Sequence, residues 1–144
     1  MTTYNQDFNL WAQEQAQLLR AGRFAELDIE NLSEEVESVG RSEKRELRNR
    51  MVILLAHLLK WKYQSERRGS SWQDTIFEQR RSISDVVEDS PSLKPILVDT
   101  EWLSKRWLGA CLQAMNETGL NINIFPQECP WDMQTQIMNN HWLP

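Results

Sequence analysis

Residues 42–63 place apolar side chains almost all the way around a helix. One seam recurs at steps of four, three, four and three residues: Leu47, Met51, Leu54, Leu58 and Trp61. Most of the remaining circumference is also apolar: Val52, Ile53, Leu55, Ala56 and Leu59. A helix that is apolar on nearly every side needs other helices packed around it. The sequence therefore predicts a helical bundle, centred on a helix that is capped by Ser42 and ends at Tyr63.

The rest of the chain shows further helical periodicity and no strand-like alternation. Capping residues and apolar steps predict helices from Asn5 or Asp7 to Ala21, from Asp28 to Gly40, from Ser70 or Ser71 to Asp89, and from Leu93 or Pro95 to Gly119. A proline-containing coil over 124–131 and a short helix over 133–138 complete the chain. We expect an all-α, antiparallel bundle of four to five helices, with the C-terminal coil and short helix docked on it. All 144 residues form one domain in this interpretation.

Composition narrows the class of protein. The longest apolar run, Met51–Leu59, has nine residues, whereas a membrane-spanning helix needs about 20. The N-terminal residues lack the basic start and apolar run of a signal peptide. Cys111 and Cys129 have neither a zinc nor a Cys-x-x-Cys spacing. These features predict a soluble cytoplasmic protein with reduced thiols, no bound metal or cofactor, and no membrane contact.

Charge is segregated along the sequence. Residues 1–40 carry two basic and eight acidic side chains, residues 41–81 eleven and five, and residues 82–144 three and eight. The net charges are therefore −6, +6 and −5. Such an acid–base–acid chain can pair its charges within one folded molecule or between two copies, which favours a homo-oligomer such as a dimer.

Three carboxylates share one face of the second helix. Glu30, Glu34 and Glu37 fall within roughly 60° of one another, at about 100° per residue. They lie opposite an apolar stripe with steps of three, four and three: Ile29, Leu32, Val36 and Val39. Three carboxylates could bind a divalent metal or carry out acid–base chemistry. The alternative is a solvated face, or one that pairs with the basic third helix.

The central helix carries a polar seam that contains a histidine. His57 follows Arg50 by seven residues and Glu46 by eleven, and it precedes Trp61 by four, so all four share one side. A histidine in this setting could handle protons near neutral pH. A core histidine that is hydrogen-bonded within the bundle is the simpler interpretation.

A third segment mixes basic and aromatic side chains. Its cations are Lys60, Lys62, Arg67, Arg68, Arg80 and Arg81. Basic and aromatic groups together suit phosphate contact and base stacking. The acidic balance of the whole chain and the acidic helices on either side favour an internal salt network instead, so nucleic-acid binding is the weaker alternative.

Six blocks of the sequence resemble a bacterial family that is abundant in cyanobacteria, the domain of unknown function numbered 29. The blocks are Leu27–Glu37, Gly40–Leu47, His57–Gln64, Ser71–Arg81, Asp89–Pro95 and Phe125–Trp131. The resemblance runs from about Tyr4 to Pro144 and implies a helical bundle, without any assigned activity. One departure is the penultimate helix, which is more apolar than in relatives and suggests a partner surface around Trp102, Trp107, Gly109 and Cys111.

No nucleophile motif and no phosphate-binding loop occurs in the sequence. This favours a non-enzymatic interaction or regulatory module that binds another protein or a second copy of itself. Two alternatives stay open. One is a metal- or acid–base-dependent enzyme that uses Glu30, Glu34, Glu37 and His57. The other is a weak nucleic-acid binder that uses the basic segment from Lys60 to Arg81.

Overall fold

The computed structural model describes residues 2–144, in which helices and turns occur and strands do not. The α-helices are Phe8–Arg20 (α1), Ile29–Tyr63 (α2), Ser70–Asp89 (α3), Lys94–Leu97 (α4) and Thr100–Thr118 (α5). A π-helical turn follows at Met133–Ile137. The predicted all-α class is confirmed.

The chain divides into two compact units. The first ends at Ser42, and the second spans Glu43–Pro144. The boundary falls inside α2, which is one continuous helix. The sequence-based prediction of a single domain stays a prediction.

Helix α2 is continuous through Gly40, so the prediction of two separate helices with a break there is wrong. Gly40 lies in the helix interior, and the glycines with positive φ in residues 2–144 are Gly22 and Gly119. Glycine costs a helix interior about 1 kcal/mol relative to alanine, which lowers its stability without breaking it. Arg41 also bonds back along the helix to Glu34, at 2.6 Å, which supports the turn around Gly40.

In the first unit, α1 is held against the beginning of α2 by Asp28. The indole Nε1 of Trp11 donates to the Asp28 carboxylate at 3.0 Å, and the Asp28 amide donates to Gln15 at 2.8 Å. Asp28 also accepts from the Asn31 amide and so caps α2, as predicted. The predicted stripe of α1 is only partly buried, because Trp11 and Leu18 are covered and Phe8 and Leu19 are exposed.

Both ends of α1 agree with the prediction to within a residue or two. The Asp7 side chain accepts from the Leu10 amide and caps the N-terminus of the helix. Gly22, two residues after Arg20, has a φ of +73°, in the left-handed region that favours glycine.

In the second unit, the C-terminal half of α2 is the centre of a bundle, as predicted. Its fully buried side chains belong to both apolar sets and include Leu47, Met51, Leu54, Leu55, Ala56, Leu58 and Leu59. Helix α3 packs on it antiparallel, since Arg50 bonds Gln79 while Lys60 lies over the ring of Trp72.

Helix α5 runs alongside α2 in the same direction. Val52 faces Gly109, and Lys60 reaches Glu117 eight residues further along α5. Consecutive long helices of the second unit are thus antiparallel, and α2, α3 and α5 form an up–down–up bundle.

One predicted helix is interrupted, and one predicted N-cap is displaced by a residue. The helix expected to run from Leu93 or Pro95 to Gly119 is broken after Leu97, because the Asp99 side chain accepts from the Trp102 amide and starts α5. At α3, Gly69 occupies the N-cap instead of Ser70 or Ser71. The end of α5 at Gly119, with a φ of +76°, is as predicted.

The C-terminal tail docks on the bundle, also as predicted. Trp131, Met133 and Ile137 are buried. The ring of Trp131 makes edge contacts with Trp107 at 5.3 Å and Trp142 at 5.5 Å between centroids. In residues 2–144, none of the helices is long and apolar enough to span a membrane.

Candidate functional site

The predicted acidic face is a solvated one with a local cation. Glu30, Glu34 and Glu37 are exposed on the first unit. Arg41, one turn further along, lies 2.6 Å from Glu34 and 3.7 Å from Glu37. Within the described chain, no group of three histidine, cysteine, aspartate or glutamate side chains is placed to hold a metal ion. The arrangement is that of an exposed ion-pair network.

His57 is a half-buried residue of the second unit. Its Nδ1 lies 2.9 Å from the carbonyl oxygen of Ile53. A carbonyl can only accept, so Nδ1 carries the proton. Burial lowers the pKa of the imidazole, and the Lys60 ammonium lowers it further, so the neutral form is favoured at neutral pH. These features are typical of a satisfied core histidine.

The other members of the predicted histidine seam have their own partners. Glu46 bonds Arg50 at 2.9 Å, and Arg50 also reaches the side-chain oxygen of Gln79 at 3.4 Å. Trp61 is covered by the guanidinium of Arg68, 5.1 Å from the ring centroid. The structure therefore separates Glu46 and Arg50, His57, and Trp61 into three local sets of contacts.

Two residues of the predicted basic segment, Lys60 and Arg80, are buried and have internal partners. Lys60 places its Nζ 2.6 Å from Glu117, over the ring of Trp72. Burial alone would raise the pKa of the Glu117 carboxyl, but hydrogen bonds from Lys60 and Gln113 bring it below its usual value. Arg80 donates to the backbone carbonyls of Ile137 and Trp142, at 2.7 and 2.9 Å.

The remaining cations of that segment are exposed. Lys62 and Arg67 face solvent, and Arg68 bonds the carbonyl oxygen of Trp61 at 2.6 Å. Arg81 forms a two-pronged bond with Glu78, at 2.8 and 3.0 Å. The segment is divided into buried and exposed cations because Lys60 and Arg80 point into the bundle, while their sequence neighbours point outward.

The proposed partner surface on α5 is also corrected. Trp107 and Cys111 are buried in the core, and Trp102 is half-buried. The Trp107 indole Nε1 donates to the carbonyl of Pro126 at 2.8 Å, which ties the tail to the bundle. Trp107 and Cys111 therefore serve internal packing.

Both cysteines are free, and neither has the environment of an activated thiol. Cys111 is buried, and that burial raises its pKa to about 11. Cys129 is half-buried, and its pKa is also raised by burial. Raised pKa values disfavour the thiolate that a nucleophile requires.

The surface that sequence reasoning missed is an apolar one on the first unit. The predicted stripe of Ile29, Leu32, Val36 and Val39 is helical, as expected, but it is largely uncovered. Ile29 is 60% exposed, Val36 71% and Val39 63%, and Leu32 is half-buried. We call these four residues the α2 seam.

The α2 seam belongs to a wider apolar surface. Thirteen large apolar side chains are exposed in residues 2–144, and seven of them precede Ser42: Phe8, Leu10, Leu19, Phe24, Ile29, Val36 and Val39. The first unit contains less than a third of the chain, so exposed apolar side chains are concentrated there.

The family model of the Domain of unknown function DUF29 matches residues 3–143. The chain belongs to the DUF29 family. No curated protein and no solved structure matches it. The DUF29 match covers both units, so the α2 seam and the bundle are both inside the region that defines the family.

Proposed function

We propose that this DUF29 protein is a non-enzymatic protein-interaction module whose docking surface is the α2 seam, and that its partner is an amphipathic helix with basic flanks. The observation that carries the proposal is the exposure of Ile29, Val36 and Val39 on one side of a regular helix. Exposed apolar side chains that line up along one helix face are typical of a helix-in-groove or helix-on-helix contact.

The spacing of the α2 seam suits a helical partner. Its steps alternate between three and four residues, as they do along the seam on which two helices pack with a seven-residue repeat. Burial of a valine side chain contributes about 1.5 kcal/mol. Covering the α2 seam would therefore supply a large part of the free energy of a micromolar contact.

The acidic charge of the first unit indicates which kind of partner helix would bind. Residues 28–40 carry five carboxylates and neither lysine nor arginine: Asp28, Glu30, Glu34, Glu35 and Glu37. Residues 1–42 carry eight acidic and three basic side chains, so the first unit as a whole is negative and would attract a partner helix with lysine or arginine beside its apolar stripe. A second copy that docked through the same surface would bring two negatively charged units together. The homodimer predicted from charge segregation therefore becomes an outcome of the test.

The test uses two synthetic helical peptides with identical apolar residues at seam spacing. One has lysine at every flanking position, and the other has glutamate there. Binding to the labelled peptides is measured by fluorescence anisotropy, and the oligomeric state by analytical ultracentrifugation. We expect the lysine peptide to bind, more weakly as salt is added, and the glutamate peptide not to bind.

The matched variants are V36S together with V39S on the α2 seam, and V98S at an exposed valine elsewhere. The double variant should weaken peptide binding at least tenfold, and V98S should leave it unchanged. Equal binding of both peptides, or a dimer that the double variant dissociates, would contradict the proposed partner. Circular dichroism verifies that the variants are folded.

The two alternatives receive less support from the geometry. The residues of the enzyme hypothesis lie in different units, Glu30, Glu34 and Glu37 in the first and His57 in the second. Glu34 and Glu37 pair with Arg41, and His57 bonds a backbone carbonyl. The nucleic-acid hypothesis loses Lys60 and Arg80 to the interior. We also propose a cytoplasmic location, supported by the two free cysteines, since free thiols suit a reducing compartment.

A further inference from the structure

We infer that a cleft between α2 and α5, in the second unit, binds a phosphate-bearing anion. Its polar lining consists of Arg45, Arg48 and Asn49 from α2 and Lys105 and Arg106 from α5. The cleft has a volume of about 420 Å³ and opens to solvent. This basic cleft is separate from the α2 seam and independent of the function proposed for it.

The basic cleft holds four cations and no carboxylate in its lining. Arg45, Arg48 and Lys105 are exposed, and Lys105 makes one long contact of 3.7 Å with Glu101 outside the lining. Like charges so close repel each other. An anion would relieve that repulsion, and one with two or more negative charges would relieve it best.

Arg106 has a buried donor atom without a hydrogen-bond partner in the described part of the chain, which also supports an anion site. Its Nη1 is shielded from solvent and has no hydrogen-bond partner among the described residues. The guanidinium lies over the ring of Trp102, with 5.5 Å between Cζ and the centroid. Burial lowers the pKa of this group, and the nearby charge of Arg48 lowers it further. A buried N–H without an acceptor is unfavourable, so the arrangement favours a ligand that brings acceptor oxygens.

The residue types favour phosphate over a carboxylate. Guanidinium groups match phosphate oxygens in a two-pronged geometry, and Arg48 and Arg106 approach from different helices. The Lys105 ammonium and the Asn49 amide add donors that do not need such alignment. A monocarboxylate has a single negative charge and would leave most of the four cations unneutralised.

Helices α2 and α5 lie close together beneath these cations. A Cβ at Gly109 of α5 would lie 3.4 Å from Cγ2 of Val52 on α2, in ordinary van der Waals contact. The basic side chains of both helices therefore line one cleft.

The test is isothermal titration of the full chain with inorganic pyrophosphate, at low salt. A second arm uses phosphatidylcholine vesicles with and without phosphatidate, which distinguishes a free phosphate compound from a lipid headgroup. The variants are R48Q and R106Q in the basic cleft, R106K, and K94Q at an exposed lysine elsewhere as a control of equal charge.

We expect saturable pyrophosphate binding that R48Q and R106Q each weaken at least tenfold and K94Q leaves unchanged. R106K should weaken it as well, because lysine lacks the two-pronged donor. Arg48 is exposed, so R48Q tests the site even where R106Q fails to fold. Absence of binding to both pyrophosphate and phosphatidate vesicles, or equal affinity in R48Q and K94Q, would overturn the inference.

Discussion

Arg80 shows how much one residue can contribute to the fold. It is almost completely buried, and its guanidinium bonds three backbone carbonyls of the tail, those of Gln136, Ile137 and Trp142. Hydrogen bonds from a charged donor are stronger than neutral ones, and acceptors left buried without a donor cost free energy. The tail is therefore fastened to α3 through one side chain.

We expect R80M to lower the free energy of unfolding by about 3 kcal/mol, because three carbonyls of the tail lose a charged donor and the hydrogen bond to Ile137 is buried. The neighbouring R81M should cost less than about 1 kcal/mol, because Arg81 is exposed and pairs only with Glu78. Urea unfolding followed by tryptophan fluorescence measures both. Equal losses in the two variants would show that the buried contacts do not hold the tail.

The sequence contains a signal for Arg80 that residue-type reasoning overlooks. Ile76, Arg80, Ile83 and Val87 recur at steps of four, three and four, so Arg80 lies on the buried face of α3. Charge alone groups Arg80 with Arg81, whereas helical periodicity places the two side chains on different faces of α3. Lys60 likewise lies on a buried face of its own helix, α2, and its ammonium reaches Glu117 of α5.

At the scale of elements, apolar periodicity predicts where helices are better than where they end. The central apolar helix and the helix end at Gly119 could be predicted, because each depends on residues that are close together in the sequence. The predicted break at Gly40 is wrong, because the helical turns on both sides stabilise the helix by more than one glycine destabilises it. The exposure of the α2 seam could not be predicted from the sequence, because an amphipathic stripe does not show whether another element covers it.

The basic cleft was missed for a related reason. Arg48 and Arg106 are far apart in the sequence and meet only because α2 and α5 run side by side. No spacing rule within one helix brings them together, so the cleft depends on tertiary packing.

Gly40 allows a direct test of the continuous α2. A Cβ there would have nothing within 4 Å, and φ is not positive, so G40A should stabilise the protein by up to about 1 kcal/mol. The matched G119A should destabilise it, because Gly119 has a φ of +76°. Urea unfolding followed by circular dichroism measures both changes. Destabilisation by G40A would indicate that the helix is interrupted there after all.

At the scale of the whole molecule, the two units differ in how they are stabilised. The main core cluster consists of residues from Leu47 to Ile137, all in the second unit. The first unit buries few side chains, among them Trp11, Gln15 and Leu18, and exposes many apolar ones. A small unit with little buried apolar area has little stability of its own, whereas the second has the core of an ordinary domain.

We therefore expect a fragment of residues 42–144 to fold alone. It retains the whole core cluster, and Ser42 provides an N-cap for the shortened α2. Its urea unfolding should be a single cooperative transition, with the tryptophan emission of the full chain's bundle, while residues 1–42 alone should show little helix by circular dichroism. An unfolded 42–144 fragment would contradict this expectation and favour one indivisible domain, because the bundle would then need the first unit to fold.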